Sequence, residues 1–432
     1  MSEDDPLERL SGAVPGPRTA EHIPALRAYE SQNVTHLADD FPVFWESARG
    51  ATVVDVDGNR YLDLTAAFGV ANVGHANPRV TAAVADQAER LMHGMGDVHP
   101  TAVRARLLER LAQILPPGLK KTFLATTGSE AVEAALKTAT LATGRSRFAS
   151  YRGAYHGLSL GALTVCGIDK FREPFAPALG QRALLLDYPG SDETADGAIA
   201  RTRAELTGHT DVAALLIEPI QGRAGCIVPP PGYLSAVRAL CDDLGILMIV
   251  DEIYTGFGRT GTWFAVDREG VLPDIICIGK AMGSGFPISA AVGRAEVMDA
   301  WPLSNGEALH TSTYLGNPMG CAAALATIGE LARRHLPARA AALEPFLRSR
   351  LNALTSRRVV VGVRGRGLLW GVQLANPGVA AATVKRALRA GLILLQSGAA
   401  GDVIAITPPL VITERQLARA VEILEAAIDA IE

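Results

Sequence analysis

The run LGILMIVDE, residues Leu244 to Glu252, holds five consecutive apolar residues from Ile246 to Val250 and then two carboxylates, Asp251 and Glu252. A strand that is apolar at every position is buried on both faces, the condition of a parallel sheet covered by helices. An unpaired carboxylate costs several kcal/mol to bury, so Asp251 at the end of such a strand needs a partner or a task.

Similar short β-rich runs recur between about Pro100 and Ala300: KTFLATT, SRFASY, RALLLDY, AALLIEPI, DIICIGK and ISAAVG. Amphipathic stretches such as AVRARLLERLAQIL and EAVEAALKTATLA read as helices by their apolar spacing. The expected fold is therefore α/β: a mostly parallel central sheet covered by helices. Upstream, ATVVDVDGNRYLDL reads as a hairpin turning at Asp57-Gly58. From Asn317 on, the helical stretches NPMGCAAALATIGELARR and AALEPFLRSRLNAL lead to short strands in GLLWGVQLA and VIAITPPL. The closing helix is ERQLARAVEILEAAIDAI. These parts predict a smaller α+β domain built from both chain ends. The expected division is an arm and part of the small domain over 1–68, a large domain over 69–325 and the rest of the small domain over 326–432. RGRGLLWG lacks the third glycine of a dinucleotide fingerprint and reads as a turn.

Composition narrows the function classes. A net charge of -4 over 432 residues gives no electrostatic footprint for nucleic acid or an anionic membrane. No apolar stretch approaches the length of a membrane span, and the acidic start MSEDDPLERL does not resemble a signal peptide, so a cytoplasmic protein is expected. The five cysteines, widely spaced, read as reduced core thiols rather than a metal site.

Ligands of such sheets sit beyond the carboxyl ends of the strands, and four candidate groups fall there. In LATTGSEAVEAALK a strand runs through Gly128 and Ser129 into a helix whose first N–H groups can hold an anion; alternatively Ser129 only caps it. In YRGAYHGLSL, Tyr155 beside His156 can stack on a flat ligand or simply pack. Asp251 supplies a carboxylate. In DIICIGKAMGSGFP, Lys280 sits among apolar residues and glycines, where burial lowers a lysine's pKa and makes it nucleophilic; an ion-paired lysine is the plain alternative. An anion cradle, an aromatic plate, a carboxylate and an activated lysine together suit a phosphorylated pyridine aldehyde held as a Schiff base.

Seven motifs in order carry a resemblance: TTGSEAVEAALKTA, AYHGLSLGAL, IEPIQGRAG, IVDEIYTGFGRTG, IGKAMGSGFPISA, TSTYLGNPMGCAAALA and TPPLVIT. Over about residues 40 to 430 the chain resembles the class III aminotransferases, fold type I enzymes of pyridoxal 5'-phosphate that include ornithine, acetylornithine and 4-aminobutyrate aminotransferases. The resemblance implies that Lys280 forms the internal aldimine and then shuttles a proton. It implies that Asp251 pairs with the pyridine nitrogen, keeping the ring protonated as an electron sink. Ile253, two residues on along the strand, would press on one ring face and Tyr155 on the other. Gly128 and Ser129 would give backbone donors to the phosphate, with His156 nearby. Thr313 would reach the phosphate from the neighbouring subunit, making the active unit a homodimer.

Three positions depart from the family's pattern. The arginine after the HG-like step is Leu158, the gate arginine of segments like RFAPPLVI is Ala405, and the glutamate of QGEAG is Arg223. Two facing arginines would repel, so Ala405 and Arg223 make sense as a joint change. Arg223 can hold a substrate carboxylate or form a surface or interface ion pair. Tyr254 stands where relatives often place a glutamine near the cofactor's 3'-oxygen, and a phenol can make that bond. Phe68 matches a substrate-contacting aromatic, and Phe44 and Trp45 can add apolar wall or pack in the core. The expected activity is ping-pong amino transfer from an amine or amino acid to a 2-oxo acid or aldehyde, and not standard ornithine or aminobutyrate chemistry. The alternatives are an amino-acid racemase, epimerase or aminomutase on the same scaffold, and a non-catalytic binding protein.

Overall fold

A computed structural model of the chain describes residues 6–38, 40–190 and 192–431; the acidic start MSEDD lies outside them. The central sheet has seven strands: Leu119–Ala125, Arg147–Tyr151, Ala183–Leu186, Val212–Ile217, Leu247–Asp251, Ile275–Ile278 and Ser289–Arg294. All seven coincide with the β-rich runs read from the sequence. The first and last of them lie side by side at one edge, and the other five pair in parallel. Ser289–Arg294 runs antiparallel to both its neighbours, so the sheet is mostly parallel. Every residue of Val212–Ile217 and Ile275–Ile278 is buried, which is why these strands read as unbroken apolar runs.

Two smaller sheets complete the fold. In one, the hairpin Thr52–Asp55 and Arg60–Asp63 turns through Gly58 at φ +85°. Its second strand pairs in parallel with Leu392–Ile393, so residues from both chain ends share one sheet. In the other, Val360–Arg366 pairs with Leu369–Leu374 through a turn in which Gly367 has φ +57°, as expected for RGRGLLWG. That sheet continues to Val403–Ile406, which carries Ala405. The arm before residue 30 contains a helix, Pro17–Tyr29, that composition did not suggest. It is tied down by Asp57, whose carboxylate accepts from the N–H groups of Arg18 and Thr19 at 2.7 and 3.0 Å.

The units are joined by Arg259, whose side chain is fully buried. Its guanidinium donates to the carbonyls of Leu368 and Pro408 and to Asn72 Oδ1. Burial lowers its pKa to about 10. All five cysteines are buried and free. No helix among the described residues is long and apolar enough to cross a membrane.

Candidate active site

Asp251 is the last residue of its strand and is 4% exposed. Its partner is His156, whose Nδ1 lies 2.8 Å from Asp251 Oδ2. The other carboxylate oxygen accepts from the N–H of Ile253 at 3.0 Å. This corrects the expected geometry of Ile253. The strand stops at Asp251, so Ile253 lies in a turn and reaches the cavity from there. Glu252 points away, fully buried, and accepts from Val266 N at 2.9 Å and from the Thr255 hydroxyl, as befits a structural carboxylate. Burial pushes it up to about 7.

Around Asp251 opens a cavity of about 700 Å³. It is lined by Gly128, Ser129, Tyr155, His156, Ile253, Tyr254 and Lys280, seven residues named from the sequence for a cofactor. The helix Gly128–Thr143 begins at its edge. Its cap is Thr127, not Ser129: Thr127 and Glu130 close a reciprocal capping box. The Ser129 hydroxyl instead accepts from Leu158 N at 3.3 Å, which joins the helix start to the Tyr155–Leu158 loop. Gly128 and Gly157 are needed for this fit. A methyl on Gly128 would lie 2.9 Å from Ile253 Cδ1, and one on Gly157 would collide with the Ser129 side chain.

Lys280 follows the strand Ile275–Ile278 and Gly279, with a positive φ of 43°. Left-handed backbone at a non-glycine residue is costly and gathers at functional sites. Burial holds its amine below the usual lysine range, while Asp251 and Glu218 act in the other direction. Its Nζ lies 4.7 Å from the centre of the Tyr254 ring. The Tyr254 hydroxyl lies 3.3 Å from Thr407 Oγ1.

The substrate candidates also meet here. Phe68, Leu158, Arg223 and Ala405 all line the cavity. Phe68 is 64% exposed. Among the described residues the Arg223 guanidinium makes no hydrogen bond or ion pair. Burial raises the pKa of the nearby Tyr155 phenol, and the Arg223 charge acts the other way. Thr313 is exposed and does not line this chain's cavity. Phe44 and Trp45 stay outside it too, each against a histidine, His22 and His75.

Sequence reasoning assigned no role to Glu218, which lies in the cavity wall. Its carboxylate accepts from Tyr155 N at 2.8 Å and Gly222 N at 3.1 Å, clipping together the two segments that carry Tyr155 and Arg223. Burial pushes it up to about 7; His156 pulls it down and Asp251 adds to the rise. The signal was present: like Asp251, Glu218 directly follows an unbroken apolar strand. Phe171, in edge-to-face contact with Tyr155 at 5.8 Å, lines the cavity without any such signal.

The family model for class III aminotransferases matches residues 34–428. A putrescine aminotransferase of Pectobacterium atrosepticum is 40% identical over 400 residues, 90% of this chain and 82% of the relative. An acetylornithine aminotransferase of Methanosarcina mazei is 39% identical over 386 residues, 89% of this chain and 92% of the relative. Among solved structures, an amine transaminase from an uncultivated Pseudomonas species, in a PLP-bound form, superposes with TM-score 0.87 and 31% identity, covering 94% and 99% of the two chains. The ornithine aminotransferase of Toxoplasma gondii gives TM-score 0.85 at 32% identity, covering 96% and 95%. Fold, cavity and sequence agree: the chain belongs to the class III aminotransferase family, whose enzymes work with pyridoxal 5'-phosphate.

Proposed function

We propose that the protein moves an amino group from an amine or amino acid to a 2-oxo acid or aldehyde in two half-reactions on one site, with Arg223 holding a substrate carboxylate. The observation that carries the reading is Arg223 itself: a guanidinium in the cavity wall with no hydrogen bond or ion pair among the described residues. A guanidinium pairs with a carboxylate through two parallel hydrogen bonds. Around it, Phe68, Leu158, Phe171, Leu395 and Ala405 give an apolar wall suited to an aliphatic or aromatic chain. Relatives named for putrescine and acetylornithine support an aliphatic amine or amino acid as donor. Leu158 and Ala405, in place of carboxylate-binding arginines, argue against standard ornithine or aminobutyrate transfer.

The residues present fit the cofactor. Asp251 is buried with only a histidine as charged partner, and His156 Nε2 is buried with no hydrogen-bond partner. The glycines at 128 and 157 leave a cradle that side chains would fill. Asp251 would pair with the ring nitrogen, Tyr155 and Ile253 would lie against the two faces, and the helix start at Gly128 and Ser129 would hold the phosphate. When bound, pyridoxal 5'-phosphate supplies an aldehyde carbon and a protonated ring that accepts the electron pair left by a departing proton. Asp251 provides the negative charge that such a ring needs, and His156 fixes the orientation of its carboxylate. Lys280, its pKa lowered by burial, would take the proton from the substrate's amine-bearing carbon and deliver it, across the nitrogen, to the carbon that the cofactor's aldehyde supplies. Glu218 holds both cavity walls in register. The active unit is a homodimer in which Thr313 of one protomer completes its partner's phosphate site.

The test compares Arg223→Ala on carboxylated and carboxyl-free substrates of one shape. Loss of a charge-assisted pair should lower kcat/KM about 10–100-fold for the carboxylated member only. Equal effects on both members would remove Arg223 from substrate recognition.

A further inference from the structure

We infer that the Tyr254 ring is the platform that positions the Lys280 amine, a positioning residue rather than a ligand of the cofactor through its hydroxyl. This rests on the reading of Lys280 as the reactive amine. Lys280 Nζ sits over the ring, 4.7 Å from its centre, well inside the range of a cation–π contact. The ring itself cannot drift. On one edge is Gly69, where a methyl would lie 2.5 Å from Tyr254 Cε2 and 2.9 Å from Cδ2. On the other edge is Gly222, where a methyl would collide with Cδ1 and Cε1. The rest of the side chain packs with Ile220, Cys226 and Leu369. The phenol, pushed up to about 12 by burial, keeps its proton and lies 3.3 Å from Thr407 Oγ1, which locks the ring's tip.

The platform also accounts for an expensive piece of backbone. Ala66, Ala67 and Phe68 have φ of +46°, +49° and +63°, a left-handed turn that delivers Gly69, at φ +77°, to the ring's edge. The ring leaves no room for a side chain at 69. The charged groups that face Lys280 from elsewhere are Asp251 and Glu218, both favouring its protonated form. The ring adds a third contribution in the same direction, from its π face rather than from a charge. It stabilises an ammonium without giving it an anion that competes for the proton, so the amine stays held but free to exchange.

The experiment follows the Lys280 amine directly. The full chain is loaded with pyridoxamine 5'-phosphate, which leaves Lys280 free, and the pH dependence of its trace acetylation is read by peptide mass spectrometry. Tyr254→Phe keeps the ring, and its titration midpoint should stay within about 0.3 pH unit of the parent. Tyr254→Leu keeps apolar bulk without a ring, and its midpoint should fall by about one pH unit, a roughly tenfold gain in unprotonated amine below both midpoints. Gly222→Ala, which displaces the ring without altering it, should move the midpoint the same way. An unmoved or raised midpoint in Tyr254→Leu would overturn the inference, and so would a fall in Tyr254→Phe as large as in Tyr254→Leu. Borohydride fixation of pyridoxal phosphate separates this from the underlying reading. Fixation away from Lys280 rejects the lysine assignment, whereas fixation on Lys280 with unmoved midpoints rejects the platform alone.

Discussion

At Asp251 the physical problem set by the sequence has a local answer. A carboxylate at the end of a buried strand is held by the His156 ring and by the Ile253 N–H. Asp251→Asn keeps both contacts in shape but removes the charge, so it should leave thermal unfolding nearly unchanged while lowering the transamination rate at least about a hundredfold. A rate close to the parent's would contradict the role of the charge. The residues legible in advance were those whose chemistry clashes with their surroundings: a lysine and an aspartate among apolar residues. Glu218 obeys the same rule, a carboxylate directly after an unbroken apolar strand. Phe171 and Leu395 could not be read at all. They are ordinary apolar residues, and only the tertiary fold brings them to the cavity.

Among the elements, inner strands such as Val212–Ile217 and Ile275–Ile278 were legible because burial on both faces leaves an unbroken apolar run, whereas the edge strand Leu119–Ala125 showed only a shorter β-rich stretch after its two exposed lysines. Their order and the reversed direction of Ser289–Arg294 were not, since pairing depends on connections rather than composition. The turn at Ala66–Phe68 was equally hidden, because alanine and phenylalanine carry no sign of left-handed backbone. Neighbours hold it in place: Asp63 Oδ1 accepts from the Thr65 N–H and hydroxyl, and Gly69 N donates to Thr65 O at 2.9 Å. Left-handed geometry costs an L-residue about 1–2 kcal/mol, more than the added chain entropy of glycine. Ala67→Gly should therefore be neutral or stabilising by up to about 1 kcal/mol in urea titration, where the same change in a right-handed helix costs about 1 kcal/mol. A loss of that size would mean that the turn is right-handed in solution.

Across the whole molecule, the cavity exists only where the central sheet, the turn after Asp63 and the sheet containing Ala405 come together. Arg259 binds these three parts with hydrogen bonds alone, reaching Asn72, Leu368 and Pro408 without a carboxylate among its partners. Arg259→Met fills the space but strands three buried acceptors, and should cost at least about 3 kcal/mol by urea denaturation. A smaller loss would show that the parts are held by packing alone. Net transfer of an amino group can be followed in a single half-reaction. The yellow protein is mixed with an amine or amino acid donor and no acceptor. The colour should be lost as one equivalent of carbonyl product appears, and a 2-oxo acid should restore it. A substrate that is racemised or rearranged while the colour persists and no carbonyl product forms would contradict net transfer.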